Sequence, residues 1–146
     1  MNYRLLLLPL CFLFSLIQGS NALAQGFVTD SVKYGPDTVY VTPDQTASFP
    51  GGKEKMHDYI DLKFDGLADG FGDMGGLKGG SIDVNFVVEI TGRVKYVVIE
   101  KGVTSALDEE MTRALMSMPK WQPAVVNGKK VRSLQKLHYN LNFNRQ

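Results

Sequence analysis

Cysteine is almost absent from this chain. The single thiol, Cys11, lies in an apolar run near the N-terminus, and bulky Leu10 precedes it where a lipid-modified cysteine would follow a small residue. Beyond that run, no residue can form a disulfide or act as a thiol nucleophile. The remaining chain of roughly 120 residues is long enough to bury a core without such cross-links.

The chain also lacks a large net charge and has few histidines. The 16 lysines and arginines nearly balance the 15 aspartates and glutamates, so the composition does not favour nucleic acid or an anionic membrane as a partner. His57 and His138 are the only histidines, and no serine lies in a nucleophile elbow. Asp108, Glu109 and Glu110 match the charge preference of a helix N-terminus better than a pair of catalytic carboxylates. We therefore predict a protein that is not an enzyme and binds no cofactor.

Residues 1–24 have the pattern of a secretory signal peptide. Arg4 precedes an apolar run from Leu5 to Ile17, and the tripeptide ALA at 22–24 has the small residues of a cleavage site. The run is shorter than the roughly 20 residues that cross a bilayer as a helix. We predict cleavage before Gln25 and a periplasmic protein. The alternative is an uncleaved anchor in the inner membrane.

A glycine-rich stretch at 65–80, DGLADGFGDMGGLKGG, has no hydrophobic period and predicts a long flexible loop. Asp65, Asp69 and Asp73 recur at every fourth position. An EF-hand calcium loop instead needs its oxygen ligands at alternate positions. No metal site is therefore predicted in this loop.

Two segments have the apolar period of a helix. The first predicted helix runs from Gly52 to about Phe64, and the second from Ser105 to Met118. Ser105 and Asp108 form a capping-box pattern, and Pro119 predicts the end of the second helix. The apolar stripes consist of Met56, Tyr59, Ile60 and Phe64 in the first helix, and of Leu107, Met111, Leu115 and Met118 in the second. His57, on the polar side of the first helix, is interpreted as a solvated histidine.

The lone tryptophan, Trp121, lies between Pro119 and Pro123. We expect its ring to cover one end of the core and its indole N–H to be hydrogen-bonded. The alternative is a platform for a ligand.

Three longer segments have the pattern of strands. Residues 81–90, SIDVNFVVEI, alternate between an apolar and a mostly polar face. Thr91-Gly92 then predicts a turn into a strand from Val94 to Glu100, whose broken alternation indicates a bulge near Tyr96. The last strand is predicted at 131–143. A short strand is predicted at 38–42, and Asn127-Gly128 predicts a type I′ hairpin after Ala124–Val126.

These elements predict an α+β fold. The first two long strands form a hairpin, and the second helix forms a crossover to the last strand. Placing the first long strand in the middle gives a small antiparallel three-stranded sheet in the order second, first, last. Both helices then cover one face. The last strand is left at an edge, where unpaired N–H and C=O groups invite a partner strand.

The ordered set of motifs resembles the TonB C-terminal domain family. The matching segments are FPGG at 49–52, SIDVNFVVEITGRV at 81–94, LDEEMTRAL at 107–115, MPKWQPAVVNGKKV at 118–131 and LNF at 141–143. The resemblance implies a periplasmic binding domain at 49–146, preceded by an extension at 25–48 that holds the short strand. It further implies that an extended segment of an outer-membrane transporter is captured by strand addition.

The predicted partner-binding residues lie on the last strand: Ser133, Leu134, Gln135, Lys136, Leu137, His138 and Tyr139. Lys136 and His138 face outward, where they either contact the partner or are merely solvated. The partner is predicted to be a transporter segment or another periplasmic protein, and a homodimer formed by edge strands is an alternative. The chain departs from the family pattern because it has no proline-rich spacer. A role as an anchored energy transducer is therefore a further alternative, which requires an uncleaved N-terminus.

Overall fold

The computed structural model describes residues 26–28, 31–68 and 79–142. The predicted signal peptide lies outside these residues, as do Asp69 and Asp73 of the rejected calcium site. The strands are β1 (Phe27–Val28), β2 (Val39–Tyr40), β3 (Gly79–Val88), β4 (Val94–Lys101), β5 (Ala124–Val126), β6 (Lys129–Val131) and β7 (Ser133–Asn142). The helices are α1 (Ser31–Tyr34), α2 (Gly52–Ala68) and α3 (Ser105–Met116).

Within the described residues, five strands form a mixed sheet in the order β1-β2-β7-β3-β4, while β5 and β6 form a separate hairpin. The central strand β3 pairs antiparallel with β4 on one side and with β7 on the other, which confirms the predicted order second, first, last. The prediction of a purely antiparallel, three-stranded sheet is wrong. β1 and β2 extend the sheet beyond β7, and β2 runs parallel to β7. Strands of two residues are too short to show a period, so the sequence does not specify their neighbours.

The main core lies on one face of the sheet, under α2 and α3, as predicted for the two helices. Met56, Ile60 and Phe64 of α2 pack there with Leu107, Met111 and Leu115 of α3. The strands contribute Ile82, Val84, Phe86, Val88, Leu137, Tyr139 and Leu141.

A second, smaller core lies on the opposite face and was not predicted. It consists of Tyr34, Val39, Val87 and Leu134. Val87 was expected on the wet face of its strand but is fully buried, because the segment that carries α1 and β2 covers this part of the sheet. A long-range contact of this kind leaves no sign in the alternation of one strand.

The predicted bulge near Tyr96 is present. Asn85 pairs with Val98 and Val87 pairs with Lys95, so Tyr96 and Val97 together lie opposite Phe86. Tyr96 has a φ of 51°, in the left-handed region that an extra residue in a strand often adopts. The Asn127-Gly128 turn also agrees with its prediction, since positive φ values of 49° and 74° are those that a type I′ turn requires.

Several predicted boundaries are wrong: α2 continues to Ala68 instead of ending near Phe64, α3 ends at Met116 instead of Met118, and β3 begins at Gly79 instead of Ser81. The start of α3 and the end of β3 also differ. Thr104, not Ser105, caps α3: its hydroxyl accepts a hydrogen bond from the Leu107 N–H, and Asp108 accepts one from the Val103 N–H. β3 ends at Val88, so Ile90 is 52% exposed instead of buried. The Glu89 N–H donates to the Arg93 carbonyl and the Gly92 N–H donates to the Glu89 carbonyl, so the turn closes earlier than the apolar pattern indicates.

Candidate binding groove beside the edge of β7

The backbone of β7 has a bonded side and an outward side. Its pairing with β3 runs the whole length of both strands, from Ser133 opposite Val88 to Asn142 opposite Gly79. On the other side the only described pairing joins Ser133 to Tyr40, where the Tyr40 N–H donates to the Arg132 carbonyl at 2.9 Å. N–H and C=O groups alternate in direction along a strand. The outward groups of β7 therefore belong to Leu134, Lys136, His138 and Asn140.

The outward side divides into a covered and an uncovered part. β2 occupies the beginning, at Ser133 and Leu134. From Gln135 onward, no strand among the described residues lies beside β7. This second part offers the backbone donors and acceptors that strand addition requires.

A groove of about 490 Å³ runs beside the uncovered part of β7. Gln135, Lys136, Leu137 and His138 form one side of it, and the start of α2 contributes Gly52, Lys53 and Met56. The segment 45–49, which we call the wall, contributes Ala47, Ser48 and Phe49, while Phe86 and Trp121 complete the lining. The outward N–H and C=O groups of β7 could pair with the backbone of an added strand, and the adjacent groove could hold that strand's side chains.

The wall at 45–49 is held by four backbone hydrogen bonds. Gln45 and Val125 exchange two at 3.1 and 2.9 Å, and Ser48 and Gln122 exchange two at 3.0 and 2.8 Å. Asp44 continues the contact by accepting from the Asn127 N–H at 2.7 Å. The sequence of this stretch has no helical or strand period of its own. Its function as a wall depends on partners far along the chain.

Trp121 has the predicted position but not the predicted hydrogen bond. Its ring is 7% exposed and meets Phe49 and Phe86 edge-on, with centroid distances of 5.6 and 5.5 Å. The indole N–H is buried and has no partner among the described residues, which corrects the expectation that it is bonded. The packing of two aromatic rings fixes the plane of the indole and leaves no acceptor at its edge.

The groove is bordered by basic residues. Lys53, Lys136 and His138 line it, and none of the described lining residues is acidic. His138 is opposite Asp83 on the neighbouring strand and its Nδ1 contacts the Asp83 carboxylate. Lys136 is exposed and forms no ion pair with the described residues. His138 is therefore engaged across the sheet, whereas Lys53 and Lys136 form no ion pair with a described carboxylate.

Only some of the predicted partner-binding residues at 133–139 lie at the groove. Ser133 is bound to β2, and Leu134 is buried in the second core. Tyr139 lies in the main core, where its hydroxyl donates to Asp61 and its ring stacks on His57. His57 is thus half-buried against an aromatic ring and not simply solvated. The central residues 135–138 are the ones that line the groove.

Arg132 is a structural residue that sequence reasoning missed. It is buried, its Nε lies 3.1 Å from both carboxylate oxygens of Glu89, and its guanidinium donates to the carbonyls of Tyr34 and Asp37 at 2.7 and 2.8 Å. The guanidinium carbon also lies 5.3 Å from the centre of the Tyr96 ring. Arg132 therefore fixes the N-terminal segment, and with it β2, at the start of β7. Its partners are 43 to 98 residues away in sequence, so no local pattern marks it.

Among the described residues no group of histidine, cysteine and carboxylate side chains is placed to hold a metal ion. In the same part of the chain, no helix is both long and apolar enough to cross a membrane.

Residues 77–143 match the family model of the Gram-negative bacterial TonB protein C-terminal. The match includes β3, β4, α3, the β5–β6 hairpin and β7. It includes the edge strand but not α2 or the wall at 45–49. No curated protein matches the chain.

Proposed function

We propose that this chain, whose residues 77–143 form a TonB C-terminal domain, binds an extended segment of a partner protein as an added strand along β7. Domains of this family are periplasmic, non-enzymatic interaction domains that contact outer-membrane transporters. We accordingly propose a transporter segment as the partner and the periplasm as the location.

One observation carries this proposal: the outward backbone groups of Lys136 and His138 border the groove and have no strand beside them among the described residues. Main-chain hydrogen bonds to these groups would supply affinity that is independent of partner sequence. Side chains of the added strand that point toward Met56 and Trp121 would enter the groove and supply specificity. Lys53 beside the groove, and Lys136 on the opposite face of the sheet, would each favour an acidic side chain of the added strand over a basic one.

The test removes one outward backbone N–H of β7, that of Lys136. Lys136→Pro removes a donor that faces away from β3, so the β3–β7 ladder remains, and we expect at least a tenfold loss of affinity. The ligands are synthetic peptides that span the periplasm-facing N-terminal segments of outer-membrane transporters from the same genome. Affinity is measured by titration calorimetry, and thermal unfolding is followed by circular dichroism.

Two variants serve as controls. Lys136→Ala removes the same side chain but retains the N–H, so it should bind within a few-fold of the wild type. Leu137→Pro removes a donor that faces β3 and should lower the melting temperature sharply. If a well-folded Lys136→Pro protein binds the peptides as tightly as Lys136→Ala does, strand addition at β7 is excluded.

The same variants separate the alternatives. A self-associating domain would form dimers in sedimentation experiments, and Lys136→Pro would abolish them without any peptide being present. An anchored transducer would bind the same peptides, but the chain would be recovered at full length in the inner-membrane fraction.

A further inference from the structure

The end of the molecule at the β3–β4 turn has an unusual combination of side chains. The turn and the C-terminal end of α3 meet there around a hollow of about 330 Å³, lined by Arg93, Val94, Lys95, Met116, Met118 and Lys120. Ile90 belongs to the same turn. We call Ile90, Arg93, Lys95, Met116 and Lys120 the cationic end.

The three cations of this end are uncompensated. Arg93, Lys95 and Lys120 are exposed, and no described carboxylate forms an ion pair with any of them. Glu89, the acidic residue of the turn, is bound to Arg132 instead. The balanced charge of the whole chain therefore conceals a local excess of positive charge.

Two large apolar side chains accompany these cations. Ile90 is 52% exposed, although it continues the apolar alternation of residues 81–90, and Met116, which lies outside the apolar stripe of α3, is 55% exposed. Ile90 lies in a turn and Met116 is the last residue of α3, so both are at the tips of elements and not in the wall of a groove. Exposed apolar groups ringed by positive charge are typical of surfaces that enter the headgroup region of an anionic bilayer.

The backbone at this end is already hydrogen-bonded, which argues against a peptide strand as the occupant. The Glu89 N–H donates to Arg93, the Gly92 N–H donates to Glu89, and the Gly92 carbonyl accepts from Trp121 at 2.8 Å. A docked peptide would have to rely on side-chain contacts alone. An anionic lipid surface requires only positive charge and apolar side chains that can insert.

From this arrangement we infer that the cationic end docks on an anionic phospholipid surface. Phosphate groups pair with Arg93, Lys95 and Lys120, while Ile90 and Met116 enter the boundary between headgroups and acyl chains. Each cation near such a surface changes affinity by roughly fivefold. The inference is independent of strand addition, which uses β7.

Trp121 provides a local probe of docking, because it is the only tryptophan in the chain, follows Lys120 and is hydrogen-bonded to the turn through Gly92. The protein recovered from the periplasm is mixed with vesicles of equal parts phosphatidylcholine and phosphatidylglycerol whose acyl chains are brominated. Docking through the cationic end quenches Trp121 fluorescence, and added salt reverses the quenching.

A matched pair of charge variants tests the location. Lys95→Gln with Lys120→Gln should weaken binding by roughly 10- to 30-fold, as expected for two lost cations. Lys129→Gln with Lys130→Gln removes the same charge from the exposed β6 strand and should leave binding at the wild-type level. Ile90→Ser should also weaken binding, at unchanged net charge. Melting temperatures establish that all three variants are folded.

Three results would overturn the inference: equal loss in the two double variants, equal quenching by vesicles of phosphatidylcholine alone, or no quenching at all. The last result, combined with binding of soluble polyglutamate that only Lys95→Gln with Lys120→Gln abolishes, would assign the cationic end to an acidic peptide.

Discussion

At the scale of single residues, Trp121 shows how apolar packing can take precedence over a hydrogen bond. Its ring contacts Phe49 from the wall of the groove and Phe86 from the central strand. A buried N–H without a partner costs roughly 1–3 kcal/mol, yet a large aromatic side chain gains more than this by burial. The sequence predicts the burial from the lone tryptophan between two prolines. It does not predict the missing acceptor, which depends on where Phe49 and Phe86 hold the indole.

Two substitutions at Trp121 separate the stabilisation by ring burial from the cost of the unpaired indole N–H. Trp121→Ala should destabilise the protein by about 3–5 kcal/mol, because it empties a large site in the core. Trp121→Phe should cost no more than about 1 kcal/mol, since removing the unpaired N–H offsets the smaller ring. The free energy of unfolding is measured in urea by circular dichroism. A cost above about 3 kcal/mol for Trp121→Phe would indicate that the N–H is bonded.

At the scale of elements, two glycines with nearly the same backbone conformation have different surroundings. Gly128 in the β5–β6 turn has a φ of 74°, and Gly92 in the β3–β4 turn has a φ of 80°. A Cβ at Gly128 would meet nothing within 4 Å, whereas one at Gly92 would lie 2.2 Å from the Trp121 carbonyl oxygen. The first turn needs glycine only for its conformation, and the second needs it also for space.

Alanine substitutions should reveal this difference. Gly128→Ala should cost about 1–2 kcal/mol, the strain of a left-handed residue with a Cβ. Gly92→Ala should cost about 3 kcal/mol or more, because a backbone atom must also move and the Trp121–Gly92 hydrogen bond is disturbed. Urea unfolding of both variants gives the comparison. Equal costs would mean that the turn at Gly92 can shift freely.

The long elements could be predicted from the sequence, and the short ones only in part. Hydrophobic periods place α2, α3, β3, β4 and β7, and the out-of-phase Val94 reveals the bulge at Tyr96. The pairing of β2 with β7 depends on Arg132, which is bonded to residues much earlier in the chain. The groove was missed for the same reason. Its edge strand has a local pattern, while its wall at 45–49 is specified only by partners at 122–125.

At the scale of the whole molecule, the sequence of residues 1–24 carries a prediction about where the protein resides. The cleavage pattern at residues 22–24 predicts a protein that is released into the periplasm. An anchored chain would instead keep the domain close to the inner membrane.

Intact mass measurement of the protein from a periplasmic extract tests this prediction. We expect a chain that begins at Gln25, because the apolar run before the cleavage pattern is short. Recovery of the full-length chain in the inner-membrane fraction, resistant to a high-salt wash, would contradict cleavage and support the anchored transducer.

The position of β2 beside the start of β7 has a consequence for alignment. A strand laid along a uniform edge can slip by two residues and still turn the same face toward the groove, with different side chains at each position. Here Tyr40 occupies the place next to Ser133, so a guest strand cannot slip in that direction without displacing β2. β2 thus limits how far toward Ser133 an added strand can extend along β7. The first residue of a guest that abuts Tyr40 would determine which of its side chains reach Trp121.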